Sequence, residues 1–556
     1  MTHHYTILHG GTVLTFDGAA PTDAATRARA GGPAAPDAAG GRATAICYAH
    51  GRILAVGSDE EMLALAGPAS SVVDLAGRAV LPGFVDLHAH PFWEGSAAGL
   101  GFVGGRERRA ALRTLPGLAE RLDPDAWLVA RYDPTGWDLP DDLTRDELDR
   151  AFPDRPALLT HVSGHAVAAN SLALALAGVG RDAGERSGRA VADRDASGEP
   201  TGVVRGPEAW DLFASVMPAP DLAAGVAALA RAAERLAADG VTSVADADVG
   251  ATAGMAAELA AWGEALASGA MPLAVTLLPG LVRLAPDPAD PVPTPAELTE
   301  RLPAPAREKV RLSHVKLKAD GALTTHTAWL REPYADASHS GGPVHEPAAL
   351  SRRIAGAAAA GWATAVHAIG DAAVAAVLDA FEAAGPPAGL RHRIEHAMVV
   401  DEELVARLAA GGWWAVVQPE FLAWAGSTYV ARLGTERAAR LMPLATMLAT
   451  GIPLAFSSDR PVVPGAPLDG IRAALRHDPA LSIAEALHAW TAAGAAVLGD
   501  QDAGRLAVGA RADLVILSTD PTAVPRSAWA AGQDGVRVAA TIAAGRVVYG
   551  SLEADR

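Results

Sequence analysis

The chain has 556 residues, half of them hydrophobic, a net charge of −18 and one cysteine, Cys47. The charge excludes a general affinity for nucleic acid or an anionic membrane surface, and the cysteine count excludes an intramolecular disulfide, which fits a cytoplasmic protein. At a prior of about 150 residues per domain the length implies more than one unit, with ample apolar residues for a large core.

The first residues, Met1-Thr2-His3-His4-Tyr5, lack the basic and apolar regions of a signal peptide. Short strands are expected within 5–17 and 45–57 and at Val72-Val73-Asp74-Leu75, separated by an Ala-, Gly- and Pro-rich loop from Gly18 to Arg42. Similar strands recur at Asp513 to Leu517 and Val538 to Tyr549. Strands at both ends predict one small β domain, residues 1–80 with 505–556, built from both termini as a β-sandwich. Between them, residues 81–504 alternate strands with helices. Strands are expected at 83–88, 241–246, 272–278, 311–318, 363–367, 392–396, 413–418 and 453–457. That is the arithmetic of an α/β (β/α)8 TIM barrel. The gap at 91–221 exceeds any single crossover and predicts an inserted subdomain. Ile354 to Gly370 is too rich in Ala and Gly, and contains His367, to read as a membrane span.

The first barrel strand ends in His88 and His90. Side chains two apart share a face of a strand, and paired imidazoles suit a borderline metal such as zinc. In a (β/α)8 barrel the C-terminal ends of the strands surround one site. The fourth strand brings Lys316 and Lys318 there, two of only three lysines in the chain; the fifth brings His367, the sixth His396 and the eighth Asp459. Together these residues would supply a site for two metals. A neutral lysine amine can add carbon dioxide, and the resulting carbamate can bridge two cations.

The stretches Leu81 to His90, Gly164-His165 with Asn170-Ser171, Val315 to Thr327, His367 to Asp371, Arg393 to Ala397, Gln418-Pro419, Ser458 to Val462 and Gly509 to Leu517 occur in a specific order. In this the chain resembles the amidohydrolase superfamily, in the amidohydrolase-3 branch that includes N-substituted formamide deformylases and YtcJ-like proteins. The resemblance implies His88, His90, Lys316, His367, His396 and Asp459 as metal ligands. It gives Asp459 the proton-shuttle role, with His396 as a second catalytic group. Lys316 matches the bridging position by its interval to Asp320-Gly321, but Lys318 would face the same way on a regular strand, and the residues alone leave the two open. Substrate contacts are expected from His165, Asp320, His326 and Gln418. His326 stands where the branch often has arginine, which makes it a candidate for specificity. Glu395 is expected to pair with Arg393.

The activity implied is hydrolysis of a carbon–nitrogen bond in a small-molecule amide or N-formyl amine. It would use one or two divalent cations, with zinc the expected metal and carboxylated Lys316 the bridge if there are two. Alternatives are a hydrolase of a cyclic amide, carbamate or ester, a deaminase on the same fold, or a metal-stabilised binding protein without turnover. Neither nucleic acid nor membrane is expected as a partner, and a homodimer is the assembly considered.

Overall fold

The computed structural model describes residues 5–17, 41–98, 100–105, 107–120, 126–134, 137, 142–181, 190–206 and 208–553. The expected Gly18–Arg42 loop lies, for residues 18–40, outside the described residues, as do Met1 to His4. The fold is α/β. Eight buried segments form parallel strands: β1 (Phe84–Ala89), β2 (Val241–Val249), β3 (Ala274–Pro279), β4 (His314–Lys318), β5 (Ala363–Ala368), β6 (Arg393–His396), β7 (Trp414–Val417) and β8 (Leu454–Phe456). β1 to β3 pair in one arc and β4 to β8 in another. An isolated bridge between Gly280 and Lys316 links the arcs on one side. On the other, Asp459 N donates to His88 O at 2.6 Å and His90 N to Arg460 O at 2.8 Å. The C-terminal ends of β1 and β8 are thereby fixed against each other.

Helices follow or precede these strands, as the spacing predicts. Leu222–Ala238 starts where the Asp221 side chain accepts from Ala224 N, and it buries Leu229, Ala233 and Leu236 at intervals of three and four. The helix after β6, Glu402–Gly411, is capped by Asp401 and closed by Gly412 in the left-handed region. Gly370, after β5, is required by packing: a Cβ there would lie 1.9 Å from the carbonyl oxygen of Trp329.

Two differences from the expected strands matter for the site. The run 311–318 is interrupted, with Val310–Arg311 pairing to β3 and His314–Lys318 to β5. β2 continues past Asp246 to Val249 through a bulge, where Asp248 has φ 115°. The bulge keeps the strand paired while turning Asp248 toward the site.

The chain ends meet in two sheets. One orders Arg52–Gly57, Ala45–Ala49, Thr6–His9 and Ser71–Asp74. In the other, Leu514–Leu517 pairs antiparallel with Ala79–Pro82, matching Leu514 to Pro82 and Ile516 to Val80. Leu8 and Ile46 of the first sheet share one buried cluster with Val80, Ile516 and Ile542 of the second. Within 91–221 a separate six-stranded sheet includes Leu128–Tyr132, Ala157–His161 and Ala166–Ala169. No helix among the described residues is long and apolar enough to cross a membrane.

Candidate metal centre and active site

His88 and His90 leave β1 toward the same cavity, and Asp459, beyond β8, closes on both. Asp459 Oδ1 lies 3.3 Å from His88 Nε2 and 3.0 Å from His90 Nε2. Ligand atoms of these three residues all lie within 4.8 Å of one another. Lys316 Nζ is 3.1 Å from His88 Nε2. The His396 ring centroid lies 4.9 Å from that of His88 and 4.4 Å from that of His367. The six expected ligands thus gather in one place.

The histidines are oriented from behind. His88 Nδ1 meets Glu395 Oε2 at 2.7 Å, His396 Nδ1 meets Gln418 Oε1 at 2.6 Å, and His367 Nε2 meets the Gly321 carbonyl at 2.9 Å. Each acceptor takes one ring N–H, which assigns the tautomer and leaves the other nitrogen's lone pair for the cavity. Burial holds all three rings neutral: His88 and His367 lie well below the ordinary imidazole range, and His396 is brought to about 4. Burial pushes the Asp459 carboxyl up, but the hydrogen bond from His90 opposes it, and the group stays below the ordinary carboxylate range. Neutral imidazoles around an ionised carboxylate are a donor set that fits a divalent cation. Burial lowers Lys316 to about 8, against the opposing pull of Glu395 and Asp459. A useful fraction of neutral amine follows near neutral pH.

Two backbone positions make this convergence possible. His396 has φ 76° and Asp459 has φ 58°, conformations that cost a non-glycine residue of order 1 kcal/mol or more. Regular alternation would turn Glu395 and His396 to opposite faces; the left-handed turn lets both serve the site. Beneath Asp459, Ser458 Oγ donates to Asp86 Oδ2 at 2.5 Å and Ser458 N to Asp86 Oδ1 at 3.0 Å, tying the end of β8 to β1.

Lys318 faces the cavity but has another partner, Asp248 Oδ2 at 2.9 Å. Asp248 Oδ1 takes Arg283 at 3.2 Å, and Arg283 reaches Asp211 at 2.9 Å. This alternating chain of charges was not anticipated from sequence. The pair Asp246 and Asp248, two apart at a strand end, was its available signal. The cavity, of about 100 Å³, is walled by the histidines, Lys316, Lys318 and Asp248, and by Trp93 and Trp210. A smaller lobe beyond His396 is walled by Leu323, Met398, Phe421, Trp424 and Tyr429.

Of the expected substrate contacts, His165 lines both spaces. It follows Gly164, whose φ of 72° suits glycine and where an added Cβ would come within 3.3 Å of the Trp93 ring. The other three have different places. Asp320 is fully buried and accepts from the backbone of Trp329, Ile369 and Gly370, so it fixes the end of β5. Gln418 stands behind His396, held also by Ser457 Oγ at 2.8 Å. His326 turns away to Asp336 at 3.0 Å, where Arg432 also pairs. Glu395 pairs with Arg393 as expected, at 2.5 Å, and orients His88 as well.

A sequence profile of the Amidohydrolase family matches residues 71–549. The YtcJ protein of Bacillus subtilis (strain 168) is 32% identical over 503 residues, spanning 87% of this chain and 92% of that protein. The N-substituted formamide deformylase of Arthrobacter pascens is 28% identical over 529 residues, spanning 87% and 92%. Among solved structures, an uncharacterized metal-dependent hydrolase from Pyrococcus furiosus superposes with a TM-score of 0.67 at 27% identity, covering 93% of this chain and 100% of its own. With most of its length matched by the profile and by a relative of this similarity, the chain belongs to the Amidohydrolase family.

Proposed function

We propose that the chain is a metal-dependent hydrolase of a carbon–nitrogen bond in a small amide or N-formyl amine. In this reading the two arcs form a (β/α)8 barrel, the terminal sheets a composite sandwich domain, and 91–221 a subdomain over the site. The observation that carries the reading is the cluster of His88, His90 and Asp459, with ligand atoms within 4.8 Å of one another, ringed by oriented His367 and His396. Zinc is the metal proposed, because imidazole and carboxylate donors suit it. Lys316 is the proposed carbamate, supported by its burial, its lowered pKa and its contact with His88.

A divalent cation held here would supply Lewis acidity, activating water and polarising the amide carbonyl. The remaining work falls to the chain. Asp459 turns Oδ1 to His88 and His90, which leaves Oδ2 to accept a proton from the attacking water. The same oxygen then returns the proton to the leaving nitrogen, general base first and general acid second. His88, His367 and His396 stay neutral throughout, since burial disfavours their cations. Trp93, Trp210 and His165 line the same cavity and give it part of its apolar surface.

The test is elemental analysis of the purified protein followed by assay on N-formyl and N-acetyl amines, with acid and amine both quantified. Stoichiometric acid and amine from metal-loaded protein are expected. Metal-replete protein that cleaves none of them would overturn the reading.

A further inference from the structure

Lys318 ends the charge chain Asp211, Arg283, Asp248, Lys318 at the cavity wall. All four residues line the cavity; both oxygens of Asp248 are engaged, Oδ1 by Arg283 and Oδ2 by Lys318, and Arg283 turns its two terminal nitrogens to Asp248 and Asp211, so the Lys318 ammonium is the cation of the chain with N–H bonds left for a ligand. Its side chain keeps 24% exposure, and an ammonium has three N–H bonds, of which one is directed at Asp248. Composition adds a second observation. The chain uses arginine almost throughout and has three lysines, yet places two of them at 316 and 318. A flexible point charge has been kept where a planar fork is otherwise the rule.

His165 faces the same cavity from the inserted subdomain. It is nine-tenths buried, and its Nδ1 has no hydrogen-bond partner among the described residues. A buried polar nitrogen without a partner costs free energy that a ligand can recover. Lys318 lies two residues beyond Lys316, which is about 7 Å along a strand. The His165 ring centroid lies 5.1 Å from that of His367, and His165 and Lys318 line one cavity, so the two border the residues that meet the reacting bond.

We propose that Lys318 and His165 together receive a carboxylate carried by the substrate, so that the preferred substrate is an amide with an acid group one or two bonds from the scissile nitrogen or carbonyl. The inference rests on the hydrolase reading above and narrows its substrate class. Asp248 and Arg283 position Lys318; neither needs to touch the substrate.

The test compares racemic N-formylalanine with N-formylisopropylamine, which has a methyl group in place of the carboxylate. Wild type is expected to favour the acid by about ten- to a hundredfold in kcat/KM, the range of one charge-assisted hydrogen bond. Lys318→Met should remove most of that preference, acting on the acid and sparing the neutral amide, at unchanged metal content; His165→Leu should remove part of it, and Lys318→Arg should restore part. Equal rates on both substrates in wild type would overturn the proposal. So would an equal loss on both in Lys318→Met, because Lys318 would then act on the reacting carbonyl. A second measurement stands apart from turnover: calorimetric titration of metal-loaded protein with isobutyrate and with isobutyramide. Isobutyrate should bind about tenfold more weakly to Lys318→Met than to wild type; equal affinity would overturn the proposal even if no formamide is cleaved. Absence of turnover with the expected isobutyrate result would sink the hydrolase reading and leave the carboxylate receptor standing.

Discussion

Glu395 on β6 reaches across to His88 on β1, Oε2 to Nδ1 at 2.7 Å, while its other oxygen takes Arg393 Nε at 2.5 Å. Arg393 is itself fully buried and holds the Leu87 carbonyl at 2.9 Å. One carboxylate thus fixes the tautomer of the central imidazole and neutralises a buried guanidinium. Glu395→Gln should weaken metal binding by about 10- to 100-fold, the usual effect of losing such a partner. It should also destabilise the fold by about 3–5 kcal/mol, because Arg393 is left uncompensated in the interior. Chelator competition and thermal unfolding measure the two effects separately. Unaltered metal affinity would mean that His88 does not need Glu395 to be oriented.

Lys316 and Lys318 face the same way, yet their neighbours differ: His88 Nε2 at 3.1 Å for the first, Asp248 Oδ2 at 2.9 Å for the second. Lys316→Ala should lower metal content, and Lys318→Ala should not. Because Lys316 is brought to about 8, its neutral amine fraction rises as pH rises through that value. Bicarbonate-dependent metal loading should therefore improve between about pH 7 and pH 9 in wild type and Lys318→Ala alike. Loading that ignores both bicarbonate and pH would remove the carbamate.

Asp459 combines contact with both β1 histidines and a carboxyl held below its ordinary range. Asp459→Asn keeps the shape and an oxygen for the histidines but cannot take a proton. Turnover should fall by about 10²–10⁴-fold, the size of a general acid–base contribution, with metal content largely retained. Near-normal turnover in a metal-loaded sample would take Asp459 out of the proton path.

Much of this architecture was legible in the order of the residues, because strand runs and ligand types are local features. His88, His90 and His367 close largely apolar runs, Asp459 follows one, and Lys316 and His396 stand on strands that carry other charged residues; parallel pairing brings these strands side by side. What sequence could not show depends on backbone geometry. The bulge that turns Asp248 inward, with φ 115°, ends the regular alternation at Asp246. The left-handed turn at His396 lets Glu395 reach His88 although the two neighbours should face apart. Asp320 and Gln418 illustrate the converse: polar residues beside ligands, read as substrate contacts, whose hydrogen bonds are spent on Gly370 N and Ile369 N and on His396. Only the folded chain shows which polar groups have capacity left.

His314, at the start of β4, offers a pH test at a residue that is not itself among the proposed ligands. It is fully buried, with Ser313 Oγ at 2.8 Å from Nδ1 and the Arg391 carbonyl at 3.2 Å from Nε2. Burial, with the charge of Arg393 second, lowers it from 6.5 to about 3. Above about 6.5 the ring is neutral in both folded and unfolded chains, and its contribution is fully present. As pH falls below that, the unfolded chain takes a proton that the folded chain refuses, and stability is lost at about 1.4 kcal/mol per pH unit until the folded group titrates. Buried carboxyls oppose this trend: burial raises Asp86 to about 6 and Glu258, Asp320 and Glu420 to about 7, so their contribution is present in acid and lost as pH rises through those values. A wild-type profile alone would mix the two. The difference between wild type and His314→Gln isolates the histidine, since the carboxyls are common to both. Between pH 7 and pH 5 the stability of wild type relative to His314→Gln should shrink by about 2 kcal/mol, read from denaturation midpoints at each pH. A difference that stays constant over that interval would show that His314 is protonated, or solvated, within the folded chain.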